Sequence, residues 1–548
     1  MKIIEADNFS FRYKNSSDET LRSVSFEASE GELVLVCGAT ACGKTTLLKS
    51  LKPELAPYGE KSGSISFCGE PLENVPESVS AAQIGYVMQR PENQTVTDSV
   101  RGELAFGGES LGLPQNTICR QVAEAAAYFG LEQLLDQKTA LLSGGQRQLL
   151  NLASVMAVGP RLIILDEPTA QLDPIAAGSF IRTLYRITRE LAVTVIIAEH
   201  RFDELLPLAD KVLLLERGRA SVFDTPENAA KILASCADIS PSLPTGLRIW
   251  NAFDELAEKR PPLTLGESRN MLEGSFGRRA AALEPKQEKS FDETAIRLKN
   301  VYFTYDRAKP DVVCGASIEV KSGEAFTLLG SNGSGKSTLL SLTAGIEKPY
   351  RGKIEIEGRP IKKYSDTELY NGLLAYLPQD VQSSFLRDSV GEELGFAEDS
   401  EIYDFKPLYD MHPYDLSGGQ QQLLGIKKLL MTNPKIILLD EPTKGLDGSW
   451  RNVISDVIKS LLSRKITVFT VTHDTELAAM ISDRCGIFFD GVISACGSPE
   501  EMFCGSMFYT TGAVKASRGI YSGICTAEQL LEICRRNGLK EGSHEDNA

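Results

Sequence analysis

Long stretches of this sequence occur twice in the same order, and that repetition limits the fold more than any other feature. Gly31-Glu32-Leu33-Val34-Leu35-Val36-Cys37-Gly38 reappears as Gly323-Glu324-Ala325-Phe326-Thr327-Leu328-Leu329-Gly330. Leu142-Ser143-Gly144-Gly145-Gln146 reappears as Leu416-Ser417-Gly418-Gly419-Gln420. At 548 residues the chain exceeds what one hydrophobic core supports, so two large domains of one fold are expected. The interval from Gln89 to Ser143 is longer than that from Gln379 to Ser417, so copy two is expected to lack part of a helical insert.

Each copy opens on alternating apolar positions, Phe9, Phe11 and Tyr13 or Val301, Phe303 and Tyr305, the period of half-buried antiparallel strands. Later runs are short and almost wholly apolar: Leu162-Ile163-Ile164-Leu165, Val193-Thr194-Val195-Ile196-Ile197, Ile436-Ile437-Leu438-Leu439 and Ile466-Thr467-Val468-Phe469. Separated by helix-like segments, they predict a mainly parallel sheet buried on both faces. The expected class is therefore α/β, with an antiparallel β-subdomain and a helical insert in each copy. The first domain is placed at 1–230 and the second at 291–512. Between them, 231–290 carries Pro241, Pro244, Pro261 and Pro262 and then the polar run Glu284 to Lys289, which predicts short helices and a flexible linker. The remainder, 513–548, predicts an amphipathic helix from Thr526 to Asn537 and a polar tail.

A net charge of -16 leaves no basic field to attract nucleic acid, which is not expected as a partner. Apolar runs fall far short of a spanning helix, and the acidic start after Met1 does not read as a secretory signal, so a cytoplasmic chain is expected. Eleven scattered cysteines without a Cys-x-x-Cys pair read as free thiols.

The chemistry starts at Gly38-Ala39-Thr40-Ala41-Cys42-Gly43-Lys44-Thr45, followed by Thr46, and at Gly330-Ser331-Asn332-Gly333-Ser334-Gly335-Lys336-Ser337, followed by Thr338. Both fit G-x-x-x-x-G-K-[ST] between a strand and a helix. Small residues let backbone N–H groups wrap phosphates, Lys44 and Lys336 add point charges, and the Thr45 and Ser337 hydroxyls suit Mg²⁺. ATP and Mg²⁺ are the expected ligands. Ala41 stands where copy two has Gly333, and a positive φ there costs Ala about 1 kcal/mol.

Asp166-Glu167-Pro168 and Asp440-Glu441-Pro442 follow buried strands. The aspartates suit the Mg²⁺ shell, and Glu167 and Glu441 suit polarisation of the attacking water. His200 and His473 end the next strand in both copies, and their recurrence points to γ-phosphate contact.

Together with the Leu-Ser-Gly-Gly-Gln signature, Gln89 and Gln379 in Gly-Tyr-Val-Met-Gln and Ala-Tyr-Leu-Pro-Gln, and the aspartates Asp173 and Asp447, the chain resembles ATP-binding-cassette ATPases over nearly its whole length. The resemblance implies two tandem cassettes pairing head to tail. Lys44 would share an ATP with Ser417, Gly418, Gly419 and Gln420, and Lys336 with Ser143, Gly144, Gly145 and Gln146. It also implies adenine stacking on Tyr13 and Tyr305, and Gln89 and Gln379 at Mg²⁺ and the attacking water. With both copies complete, two hydrolysing sites are expected.

Arg90-Pro91-Glu92-Asn93-Gln94, followed by Asp98 to Gly107, resembles the corresponding region of energy-coupling-factor transporter ATPases, with an echo from Asp388 to Phe396. That likeness implies import of a vitamin-like molecule or metal ion through a transmembrane coupling protein and a substrate-binding membrane protein. The chain would then sit on the cytoplasmic face of the membrane, held there by these partners. A fused sugar-importer ATPase and a soluble ribosome-associated translation factor are the alternatives. The first typically has one degenerate site, and the second needs basic surface for RNA.

Overall fold

The computed structural model describes residues 1–14, 16–276, 289–396 and 402–537. Residues 277–288 of the expected linker and the tail beyond Asn537 lie outside the described residues. The chain divides into two compact units, Met1–Leu247 and Arg248–Ala548.

Each unit contains one four-stranded and one six-stranded sheet with the same strand order. In the first unit the larger sheet runs Arg219–Phe223, Lys211–Glu216, Leu33–Cys37, Thr194–Ala198, Leu162–Asp166, Ile84–Val87. Every pair is parallel except the antiparallel hairpin at the Arg219 edge. Leu33–Cys37, Leu162–Asp166 and Thr194–Ala198 are buried at every position, which is why their sequences are continuous apolar runs and not alternating ones. The second unit repeats the order with Val492–Gly497, Arg484–Phe489, Ala325–Leu329, Thr467–Thr472, Ile436–Asp440 and Leu374–Leu377.

The smaller sheet is antiparallel where the alternating patterns begin each copy, with Lys2–Tyr13 between Leu21–Ser29 and Gly59–Phe67. It shares one core with the large sheet, formed by Phe9, Phe11, Phe26 and Phe67 together with Val36, Ile164 and Ile196. The insert of the first unit holds helices Val100–Ser110 and Gln115–Phe129, whereas the second keeps only Val390–Glu393 among its described residues.

The helices Thr245–Ala252, Asp254–Ala257 and Leu265–Phe276 follow the first cassette. Within the second unit the last of these packs on Gly512–Ser517, which in turn meets Ala527–Arg536. Arg248 pairs with Glu528 at 2.8 Å, and Arg269 Nη2 donates to the Arg518 carbonyl at 2.7 Å. Trp250 and Phe253 are buried there, along with Leu530 and Ile533. Among the described residues no helix is long and apolar enough to cross a membrane.

Candidate active sites

Parallel register builds the sites. Asp166 pairs with Ala198 and Asp440 with Val471, so the strands end side by side and the next residues of each, the Asp-Glu pair and the histidine, emerge together. The Glu167 N–H donates to the Ala198 carbonyl at 2.9 Å, and that of Glu441 to Val471 at 2.9 Å. Both glutamates turn out of their strands at positive φ, 45° and 50°, in the left-handed region that residues with side chains avoid. Strain repeated at one position in two copies marks a geometry that the surroundings enforce.

The phosphate loops run from Leu33–Cys37 and Ala325–Leu329 into helices Lys44–Ser50 and Lys336–Ala344. Gly43 and Gly335 sit at φ 106° and 100° before the helices. Ala41 does adopt positive φ, 65° against 78° at Gly333. Lys44 Nζ donates back to the carbonyls of Gly38 and Ala39 at 2.9 and 3.0 Å, and Lys336 does the same to Gly330 and Ser331 at 2.9 Å each. The lysines curl over their own loops, Nζ standing 3.9 Å from Glu167 and 3.6 Å from Glu441. Ser334 Oγ is buried within its loop without a hydrogen-bond partner among the described residues, a polar atom that fits a phosphate oxygen. Cys42 Sγ takes the equivalent place in copy one, where burial raises its thiol pKa.

Thr45 Oγ1 lies 3.2 Å from Asp166 Oδ1 and Ser337 Oγ 2.9 Å from Asp440 Oδ1. Burial pushes both aspartates up to about 6, with the neighbouring carboxylates Glu167 and Glu441 adding to the rise. A hydroxyl beside an under-compensated carboxylate is the oxygen donor set of a hard divalent cation. Tyr86 and Tyr376 approach the second carboxylate oxygens at 3.4 Å each, a contact that the motifs did not point to.

The two glutamates sit differently. Glu167 receives Gln89 Nε2 at 2.9 Å and has His200 Nε2 at 3.0 Å. Glu441 has His473 Nδ1 at 2.9 Å and accepts from Thr472 Oγ1 at 3.0 Å. Burial favours its neutral form, yet His473 and Lys336 outweigh that and hold the carboxyl below its usual range. Gln379 is exposed at the position matching Gln89.

Tyr13 and Tyr305 extend from the small sheets, each edge-on to a preceding Phe at 4.9 and 4.8 Å. Their hydroxyls lie 3.0 Å from Thr46 and 3.1 Å from Thr338, which ties each ring to its phosphate-loop helix. With 40% and 65% of their surface exposed, the rings offer a face for stacking.

The signatures stand apart from this cluster. Ser143 and Ser417 are N-caps of Gly144–Ala157 and Gly418–Leu430, closed by reciprocal capping boxes with Gln146 and Gln420. The spacing that identifies the signature is therefore that of a helix start. A Cβ on Gly144 would meet nothing within 4 Å, leaving the N-terminus open to an anion.

The family model described as ABC transporter matches residues 21–170 and 313–444, one stretch in each copy. The chain belongs to the ABC transporter family. Over 553 residues it is 36% identical to a Bacillus cereus protein named "Putative ABC transporter ATP-binding protein", covering 98% of each chain. It is 29% identical over 520 residues to the Bacillus subtilis protein named "Putative HMP/thiamine import ATP-binding protein YkoD", covering 92% of each. An archaeal ribosome recycling factor, aABCE1, solved with ribosomal stalk protein aP1, superposes with a TM-score of 0.56 at 22% identity over 90% of each chain, a likeness of fold alone. As a family member this ABC protein binds and hydrolyses ATP. The sequence singles out Ala198-Glu199-His200-Arg201 only as a context shared with energy-coupling-factor ATPases; it gave no sign of what Glu199 and Arg201 touch, and Arg451 and Asp474 went unnoticed, although the counterpart Val-Thr-His-Asp already differs in charge.

Proposed function

We propose that this ABC ATPase is the energy-coupling subunit of an energy-coupling-factor type importer. It would drive uptake of a vitamin-like solute or metal ion through a transmembrane coupling protein and a substrate-binding membrane protein, working from the cytoplasmic face of the membrane. The observation that carries the reading is the completeness of both sites on a chain whose described helices are too short to span a bilayer. The thiamine-import name of the Bacillus subtilis relative supports the solute class.

In this reading Thr45, Asp166 and Gln89, and Ser337, Asp440 and Gln379, would hold Mg²⁺, which would supply charge neutralisation for the phosphates. Lys44 and Lys336 exchange their loop carbonyls for phosphate oxygens. Glu167 and Glu441 orient the attacking water and accept its proton, and His200 and His473 contact the γ-phosphate. Tyr13 and Tyr305 stack on adenine.

Beyond Gln89 and Gln379, Val96 and Leu386 stand 65% and 81% exposed at matching positions. Each is held up by a buried glutamate: Glu103 accepts the Val96 and Thr97 N–H groups at 3.1 and 2.8 Å, and Glu393 accepts those of Leu386 and Arg387. An apolar side chain raised on a braced loop suits a protein partner. The test is affinity purification of the tagged chain from gently solubilised membranes, comparing the intact protein with Val96→Asp plus Leu386→Asp. A small multi-spanning protein retained by the intact form and lost from the variant supports the reading. Recovery with ribosomes, or with no membrane protein, overturns it.

A further inference from the structure

The residues flanking the two histidines carry opposite chemistry in the two copies. Glu199 precedes His200 where Thr472 precedes His473, and Arg201 follows where Asp474 follows. Glu199 is only 2% exposed at the end of the strand Thr194–Ala198, where an ionised carboxylate needs strong partners. It has three. Oε1 accepts the Thr169 N–H at 2.7 Å and the Thr169 hydroxyl at 2.5 Å, and Oε2 accepts the His200 N–H at 3.0 Å. Thr169 lies two residues beyond Glu167, so one carboxylate bridges the segment bearing the glutamate to the segment bearing the histidine. Arg201 then donates from Nη2 to the Leu172 carbonyl at 2.8 Å, reaching the turn that ends at Asp173.

Copy two joins the segments bearing its glutamate and its histidine with the charges rearranged, and takes its arginine from the helix that follows. Asp474 Oδ2 accepts the Thr443 hydroxyl at 3.1 Å and Arg451 Nε at 2.8 Å, while Oδ1 accepts the N–H groups of Glu476 and Leu477 at 3.1 Å each. Thr443 is the counterpart of Thr169. Arg451 comes from the helix Gly448–Ser463, at the position of Ala177. The carboxylate has moved from before the histidine to after it, and the guanidinium from the strand end to the facing helix. The hydroxyl left at Thr472 points to Glu441, whose side chain is 4% exposed against 16% for Glu167.

We propose that Glu199 with Arg201, and Asp474 with Arg451, are equivalent positioning clamps. Each holds its glutamate and histidine at the spacing needed for water attack on the γ-phosphate, acting through Thr169 or Thr443 without touching nucleotide. The proposal concerns the ATPase reaction and is independent of the importer reading. Because such a clamp acts on geometry at the reacting centre, its loss lowers the chemical rate and leaves nucleotide affinity in place.

The experiment is single-turnover hydrolysis of radiolabelled ATP, full-length protein in excess, in a Glu441→Gln background that confines chemistry to the site of Lys44. Adding Glu199→Gln, which keeps shape and removes charge, is expected to lower the maximal rate constant about tenfold, with the half-saturating protein concentration within about twofold. Asp474→Asn in a Glu167→Gln background is expected to do the same at the site of Lys336. Importing the copy-two arrangement, Ala177→Arg with Glu199→Thr and Arg201→Asp, is expected to restore the rate to within about threefold of the parent. A parental rate in either single variant overturns the proposal, as does a folded transplant as slow as Glu199→Gln. If calorimetry shows the transplant unfolded, the two isosteric variants decide alone.

Discussion

The two signature helices share a sequence but not a neighbourhood, and Gly419→Ala exposes the difference. A Cβ on Gly419 would lie 2.0 Å from Trp450 Cδ2 and 2.4 Å from both Cε2 and Cε3, so the indole has to leave its place. A Cβ on Gly145 would meet the Ala176 methyl at 3.4 Å and Leu172 Cδ2 at 3.9 Å, both ordinary contacts. Overpacking of this kind costs about 1–3 kcal/mol, while Ala gains up to about 1 kcal/mol over Gly within a helix. Gly419→Ala should therefore destabilise its unit by up to about 2 kcal/mol, and Gly145→Ala should be neutral or slightly stabilising. Both tryptophans, Trp250 and Trp450, belong to the unit Arg248–Ala548, so denaturant unfolding followed by tryptophan fluorescence reads that unit and still works once Trp450 is removed. In a double-mutant cycle, Gly419→Ala should be harmless in a Trp450→Ala background, with a coupling energy above about 1 kcal/mol. Equal effects of the two glycine substitutions in calorimetry, or coupling below about 0.3 kcal/mol, would refute the packing argument.

Ala41→Gly should stabilise the first unit by up to about 1 kcal/mol and Gly333→Ala destabilise the second by a similar amount, read by calorimetry, because both positions sit at positive φ. Asp166 and Asp440 are held up to about 6, so they are largely protonated below that pH and the half-saturating Mg²⁺ concentration for ATPase should rise about fivefold from pH 6 to pH 5. A carboxyl raised above its unfolded value favours the ligand-free fold most below about pH 4 and loses that contribution as pH passes 6, so added Mg²⁺ should raise the melting temperature more at pH 7 than at pH 5. Glu103→Ala should strip the acceptor from the loop bearing Val96, costing about 1–3 kcal/mol in unfolding experiments and weakening co-purification of a membrane partner more than ATP turnover.

Much of the fold was legible because its signals are local. Buried parallel strands announce themselves as continuous apolar runs, and the phosphate loop is a contiguous pattern whose backbone does the binding. The missing part of the second insert could be read from the spacing between Gln379 and Ser417 alone. The relations between motifs were not legible. Glu199 in a strand-end sequence gives no hint that its carboxylate spans to Thr169, since the register of two non-adjacent segments decides that contact. The positive φ of Glu167 and Glu441 is likewise hidden, because nothing in a Glu-Pro pair favours it and only the packed surroundings enforce it. Trp450 would read as an ordinary helix-start residue, yet it sets which glycine of the signature tolerates a methyl group.

The pairing of Arg248 with Glu528 and of Arg269 with the Arg518 carbonyl bears on where this polypeptide can be cut. A fragment beginning at the first strand of the second cassette, Thr294, would discard the buried Trp250, Phe253 and Leu272 and strip the helix Leu265–Phe276 from its place on Gly512–Ser517. The separable half begins near Arg248, so a second cassette produced from its own start codon would need those upstream helices as its first residues to stay soluble.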